Sequence, residues 1–196
     1  AWRLLNFTEP AVPAANAQWA TNTAPFGYGE NDGIAGETEN TTPLPDMIAG
    51  GAAPDYTSIY MRKEFTIPAG QLPAFLQIKV RVDDGAIVWI NGVYVGAIRP
   101  NAGINTGHHF YNSLGTNAPE PPPIDVLPTV RAASVNLVEG NNVIAIHALN
   151  TTTTSSDFFI DAELKQSLGS GVGVSPGFPN TSLPVNASVP PPAIRG

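Results

Sequence analysis

The sequence predicts an all-β protein: an antiparallel β-sandwich of the jelly-roll kind, with long loops and an extended Pro-rich C-terminal tail. Three observations carry this expectation. The 20 Pro and 19 Gly among 196 residues are scattered, so few windows could hold three helical turns without a breaker. Several segments alternate apolar and polar residues with the period of two that a half-buried strand requires. Turn signals separate those segments without intervening helices, and strands joined in this way build two packed antiparallel sheets.

Taken along the chain, Ile59, Met61, Phe65 and Ile67 alternate with Tyr60, Arg62 and Glu64. Leu76, Ile78, Val80 and Val82 alternate more cleanly with Gln77, Lys79 and Arg81. Residues 86–90 and 93–98 flank Asn91-Gly92, a dipeptide that readily takes positive φ at both positions and so predicts a two-residue hairpin. A further apolar strand, 142–149, follows the turn residues Glu139-Gly140-Asn141. Phe158, Ile160, Ala162 and Leu164, alternating with Phe159, Asp161 and Glu163, complete the sandwich. Trp2 and Trp89 are expected on strands, as core. The domain should span 1–168, interrupted by two stretches, 8–55 and 100–131, that are long enough to be functional or decorated.

The tail, 169–196, differs in composition: six prolines and one charged residue, Arg195. It cannot build a core, and at about 3.1 Å per residue in polyproline geometry its 28 residues could reach roughly 85 Å. Two readings stand side by side: a flexible linker to a further domain, or an arm docked on its own or a neighbouring subunit by strand addition. Val172, Val174, Phe178, Leu183, Val185 and Val189 are the apolar anchors such an arm would use.

Composition excludes several function classes. Nine Lys+Arg against 16 Asp+Glu, a net charge of -7, offers phosphates no electrostatic footprint, which argues against nucleic acid and anionic lipid as partners. No apolar run approaches the 18 or so residues of a membrane span. The absence of Cys removes disulfides, thiolate metal sites and Cys nucleophiles together. A start at Ala1 without a basic, apolar leader is what a processed secreted chain, or an excised piece, would show. Asn-x-Ser/Thr sequons at Asn6, Asn40, Asn150, Asn180 and Asn186 point the same way, to an extracellular or cell-surface protein carrying glycans at some of them.

Four strings resemble a known family. They are Tyr60-Met61-Arg62-Lys63-Glu64-Phe65; Val82-Asp83-Asp84-Gly85-Ala86-Ile87-Val88-Trp89-Ile90-Asn91-Gly92; Leu137-Val138-Glu139-Gly140-Asn141-Asn142-Val143-Ile144-Ala145; and Ser155-Ser156-Asp157-Phe158. In that order, over residues 56–164, they resemble galactose-binding-like jelly-roll domains, such as the sugar-binding domains of β-galactosidase-type glycosidases and accessory domains of secreted bacterial proteins. The resemblance implies a jelly-roll fold, sugar-binding loops at one end of the sandwich and, in some members, a structural calcium ion. The strings themselves are turns and core strands, so the resemblance speaks to fold more than to function.

Candidate ligand residues lie in the two long loops. His108, His109 and Tyr111, with Arg99 and Asn101 nearby, combine aromatic faces with imidazole, amide and guanidinium donors, the equipment of a shallow sugar site. Trp19, Phe26 and Tyr28 could extend the platform. Glu30 and Asp32, in an acidic stretch without Lys or Arg, offer oxygens to a hard cation such as calcium; no cofactor is otherwise required. Catalytic signals are poor. Gly173-Val174-Ser175-Pro176-Gly177 matches the hydrolase elbow pattern but lacks its strand and helix. His147 falls on the face of Val143 and Ala145, as an interior imidazole. Asp83 and Asp84, if extended, would point to opposite faces. The expectation is therefore a non-catalytic subunit that assembles with copies of itself into a fibre or surface layer. The alternative is a carbohydrate-binding accessory or adhesion module.

Overall fold

In a computed structural model, residues 2–7, 20–29, 42–44, 47, 56–101, 112–167, 182–184 and 188–189 are described. The strands among them are β1 (Ala20–Thr21), β2 (Phe26–Tyr28), β3 (Thr42–Pro43), β4 (Ser58–Ile67), β5 (Phe75–Asp83), β6 (Gly85–Ile90), β7 (Val93–Ile98), β8 (Ile124–Val126), β9 (Val130–Arg131), β10 (Gly140–Leu149), β11 (Phe158–Ser167), β12 (Ser182–Pro184) and β13 (Ser188–Val189). One sheet runs β1-β13-β4-β10-β6-β7 and is antiparallel throughout; the other runs β3-β2-β11-β5-β8, with β12 added to β11 and β9 to β5. The architecture is an all-β sandwich of two packed sheets, as the alternation predicts.

Alternation decides which residues meet between the sheets. Ile59 and Met61 of β4, Ala86, Val88 and Ile90 of β6, and Ile144, Ile146 and Ala148 of β10 face Leu76, Ile78, Val80 and Val82 of β5 and Phe158, Ile160 and Leu164 of β11, all buried in one cluster. Each such side chain, taken out of water completely, contributes about 1.5–3 kcal/mol. The hairpin turn forms as its residues dictate: Asn91 and Gly92 have φ of 48° and 81°. A bulge between Val88 and Trp89 shifts the register of β6 on β7, which adds local twist near the hairpin.

The first sheet is also buried on its outer face, where Ile87, Trp89, Ala145 and Leu149 pack with Trp2, Tyr94 and Ala97. This explains why all six residues of β6 are buried although its inward set accounts for only half. Residues 2–7 cover this face: the Trp2 ring meets Tyr60 edge-on at 4.9 Å and Trp89 at 5.7 Å, and Arg62 reaches the Leu4 carbonyl at 3.4 Å. Trp2 thus lies in a turn segment, not on the expected strand, because its contacts come from packing across strands β4 and β6 and need no ladder of its own. His147 is buried here, as its strand position predicts, and stacks on Tyr60 at 4.3 Å.

Both long interruptions hold strands that the sequence reading left irregular. Phe26–Tyr28 pairs with β11, and Ile124–Val126 and Val130–Arg131 pair with β5, followed by a 3-10 turn at Ala132–Val135. Strands of two or three residues are too short to show a period, so tertiary pairing creates them where local pattern does not.

Candidate functional site

Two places in the fold stand apart, an acidic end of the sandwich and a flank where the tail adds strands. The first is the end of the sandwich where β2, β5, β7 and β10 finish and β6 and β11 begin. Strand β5 ends at Asp83, and the chain crosses between sheets at once, since β6 begins at Gly85. Because the extended backbone stops there, Asp83 and Asp84 do not alternate to opposite faces as expected. Both are buried, at 4% and 3% exposure, and their carboxyl groups are hydrogen-bonded to each other.

Asp84 is the tie of this end. Its Oδ1 accepts from the Ala118 N–H at 3.0 Å and its Oδ2 from the Thr151 N–H at 2.5 Å, which joins two separate loops. Close packing surrounds it. A side chain on Gly115 would bring a Cβ to 2.9 Å from the Asp84 Cβ and from the Gly85 nitrogen. Arg99, at positive φ, spans the same corner: Nε donates to the Asp84 carbonyl at 2.8 Å, Nη2 to the Val82 carbonyl at 2.5 Å, and Nη1 to Asp125 Oδ2 at 2.6 Å. Asn150, wholly buried, donates to Tyr28 Oη at 2.8 Å and to the Asp157 carbonyl at 3.3 Å, while its Oδ1 accepts from Thr151 N–H at 2.6 Å. Tyr28 Oη in turn donates to the Ser155 carbonyl at 3.2 Å.

Charge accumulates at this end. One carboxylate oxygen from each of Asp83, Glu120 and Asp157 lies within 4.8 Å of the others. Burial, and then the neighbouring carboxylates of Asp84, Asp157 and Glu120, push the Asp83 carboxyl up to about 8, because a charge there would be poorly solvated and repelled. Burial likewise pushes the Tyr28 hydroxyl up to about 12. The spacing of the three oxygens is one that a hard cation could bridge. They are not the pair the sequence nominated, for Glu30 and Asp32 lie outside the described residues.

The expected sugar-binding set divides sharply. Tyr28 and Arg99 reach this end, but their polar atoms are consumed by the intramolecular bonds just described, which makes them struts of the sandwich and not free contacts. Phe26 is wholly buried in the core and is no platform. Asn101 is exposed beside them, its backbone N–H donating to the Leu114 carbonyl at 3.1 Å. Trp19, His108, His109 and Tyr111 lie outside the described residues. Among the sequons, Asn6 is exposed, whereas Asn150 is corrected: its amide nitrogen is buried and already donates twice, so no room remains for a glycan in the folded chain. Asn40, Asn180 and Asn186 lie outside the described residues. Sequence reasoning missed Glu120 and, for Asp84 and Asn150, the role of tying loops together; the signal available was Asp83-Asp84-Gly85 at a strand end, a turn that must satisfy its own backbone groups.

The second place is the flank formed by the outer edges of β4 and β11. Strand β10 pairs with β4 along its full length, and β5 with nine residues of β11, so additions to either strand fall on the opposite edge. The tail supplies them. Ser182, Leu183 and Pro184 pair with Lys165, Leu164 and Glu163 of β11, beside β2, and Ser188 pairs with Arg62 of β4. Strand β13 also pairs with Ala20 and Thr21, so it lies between β4 and β1. Three residues, 185–187, separate the two tail strands; four Cα steps span at most about 15 Å, so the two edges belong to one flank. Of the predicted anchors, Leu183 and Val189 fall in these strands, while Val172, Val174, Phe178 and Val185 lie outside the described residues.

Fold and site together define a two-sheet all-β sandwich whose C-terminal segment contributes strands to both sheets. No family model matches the chain, and neither a curated protein nor a solved structure matches it. Among the described residues, no helix is long and apolar enough to cross a membrane.

Proposed function

We propose that this protein is a non-catalytic structural subunit of the extracellular or cell-surface space, which assembles with copies of itself into a fibre or layer through the sandwich and its tail. The observation that carries the reading is the placement of β12 and β13: a nearly uncharged, proline-rich segment engages backbone edges of both sheets. Main-chain pairing of this kind requires little of side-chain chemistry and suits a repeating contact. The galactose-binding-like jelly roll suggested by the four strings would serve as the rigid block. Among the described residues, the main core cluster draws on strands from Phe26 to Leu164, the rigid block to which the tail strands add.

Removal of 169–196 is the test. Negative-stain electron microscopy and light scattering should find filaments or sheets for the full chain and a folded monomer for the shortened one. A full chain that stays monomeric at high concentration overturns the reading. The alternative, a carbohydrate-binding accessory or adhesion module, now rests on Asn101 and on His108, His109, Tyr111 and Trp19, since Tyr28 and Arg99 are engaged internally. It predicts a glycan-array signal that Ala substitutions at His109 and Tyr111 weaken, and an empty array counts against it.

A further inference from the structure

The tail strands occupy edges that they are not obliged to fill from within their own chain. Strand β12 runs antiparallel to β11, and Ser182 lies opposite Lys165, two residues before β11 ends. A hairpin with that geometry closes with two to five residues. Here fourteen residues, 168–181, intervene, with glycines at 169, 171, 173 and 177. A connection of that length, extended at about 3.3 Å per residue, spans on the order of 45 Å, enough to carry β12 past its own flank to that of an adjacent sandwich. The local concentration of a tethered segment falls steeply as its tether lengthens, so the long connection weakens the preference for the chain's own edge over a neighbour's.

The flank also cannot be left empty without consequence. Withdrawal of β13 uncovers β4 and β1 together, and withdrawal of β12 uncovers β11 beside β2. Unpaired edges are templates for another chain, and the segment whose register already fits both is the same segment of a second copy. An exchange of identical elements keeps every contact of the closed form, which is why it is a low-cost route to association.

We propose that strands 182–184 and 188–189 are exchanged between copies, each sandwich receiving at its β11 and β4 edges the tail of the next. Such a contact is head-to-tail, and where its rotation does not close it propagates as a filament. The inference rests on the assembly reading above and adds the donor, the acceptor edges and the register.

The absence of Cys makes the test direct. Residues paired across adjacent antiparallel strands have Cα atoms about 4.5–5.5 Å apart, within disulfide range. Two full-length variants, Lys165→Cys and a tagged Ser182→Cys, each replace one partner of the Lys165–Ser182 pair; among the described residues the Lys165 side chain makes a partly exposed ion pair with Glu163, worth little to stability. The two are mixed as monomers, allowed to assemble and oxidised. Exchange predicts a cross-linked heterodimer containing both chains on a denaturing, non-reducing gel, and long ladders when both cysteines are placed in one chain. If assemblies form but the double variant closes only within single chains and the mixture gives no heterodimer, the exchange is overturned while the assembly reading stands. Absence of any cross-link in visible assemblies refutes the register in the same way. A full-length chain that never assembles overturns both. Each variant's thermal unfolding is compared with the parent's, and Glu163→Cys with Pro184→Cys serves as the second pair if either fails to fold.

Discussion

The two ends of the sandwich solve one problem with different chemistry. At the hairpin end, Asn91 and Asn142 tie the turns: Asn91 Nδ2 donates to the Asn136 carbonyl and to Asn142 Oδ1, both at 2.9 Å, and Asn91 Oδ1 accepts from the Val143 N–H at 2.9 Å. Asn142, wholly buried, accepts from Val138 N–H at 3.0 Å and donates to the Val138 and Gly140 carbonyls at 2.8 and 3.0 Å. At the opposite end the same duty falls to Asp84 beside Asp83, with Asp157 and Glu120 close by. An amide carries donors and acceptors without charge, so the Asn91–Asn142 ties do not themselves titrate. A carboxylate accepts more strongly, but a second buried carboxyl next to it must hold a proton or be repelled, which makes the other end sensitive to pH.

Asp84→Ala has the largest expected effect, because it strands the buried Ala118 N–H and leaves the part-buried Thr151 N–H with Asn150 Oδ1 as its acceptor. The expected loss is about 2–3 kcal/mol, read from urea unfolding. A loss below about 1 kcal/mol would mean that Asp84 does not tie this end. Asn142→Ala should cost about 2 kcal/mol, and by the same amount at pH 5 and pH 9, which sharpens the contrast. Gly115→Ala comes next, at about 1–2 kcal/mol, because its Cβ would overpack against Asp84 and Gly85.

The pH dependence follows from Asp83. Its folded value, about 8, lies above the ordinary 3.8, so between those values the folded chain holds a proton that the unfolded chain has released. Stability is therefore full below about pH 4 for this group and declines as pH rises through about 8, with a slope of at most about 1.4 kcal/mol per pH unit. Melting in chelating buffer should show the decline, and Asp83→Asn should flatten it. An equal slope in the variant would place the titration elsewhere.

What was legible in the sequence was the part set by local pattern. Alternation in 76–82 and 158–164, and Asn91-Gly92 between two apolar runs, correspond to β5, β11 and the β6–β7 hairpin within three residues. What was not legible depends on partners distant in the chain. Ile124–Val126 has apolar residues at its ends, yet both are exposed, and only pairing with β5 makes it a strand. Asn150 resembles a glycan acceptor until Tyr28, 122 residues away, is seen to accept its proton. Asp83 and Asp84 point apart only if the strand continues, and it does not. Trp2 is aromatic enough for a core but finds it on the outer face of a sheet, through Tyr60 and Trp89.

The assembly account depends most directly on the state of the intact chain. Sedimentation velocity of the full-length protein over a hundredfold range of concentration would decide it. The account predicts species that grow with concentration well beyond the 20.5 kDa of one chain, and their disappearance when 169–196 is removed. A single species of one-chain mass at every concentration would contradict it.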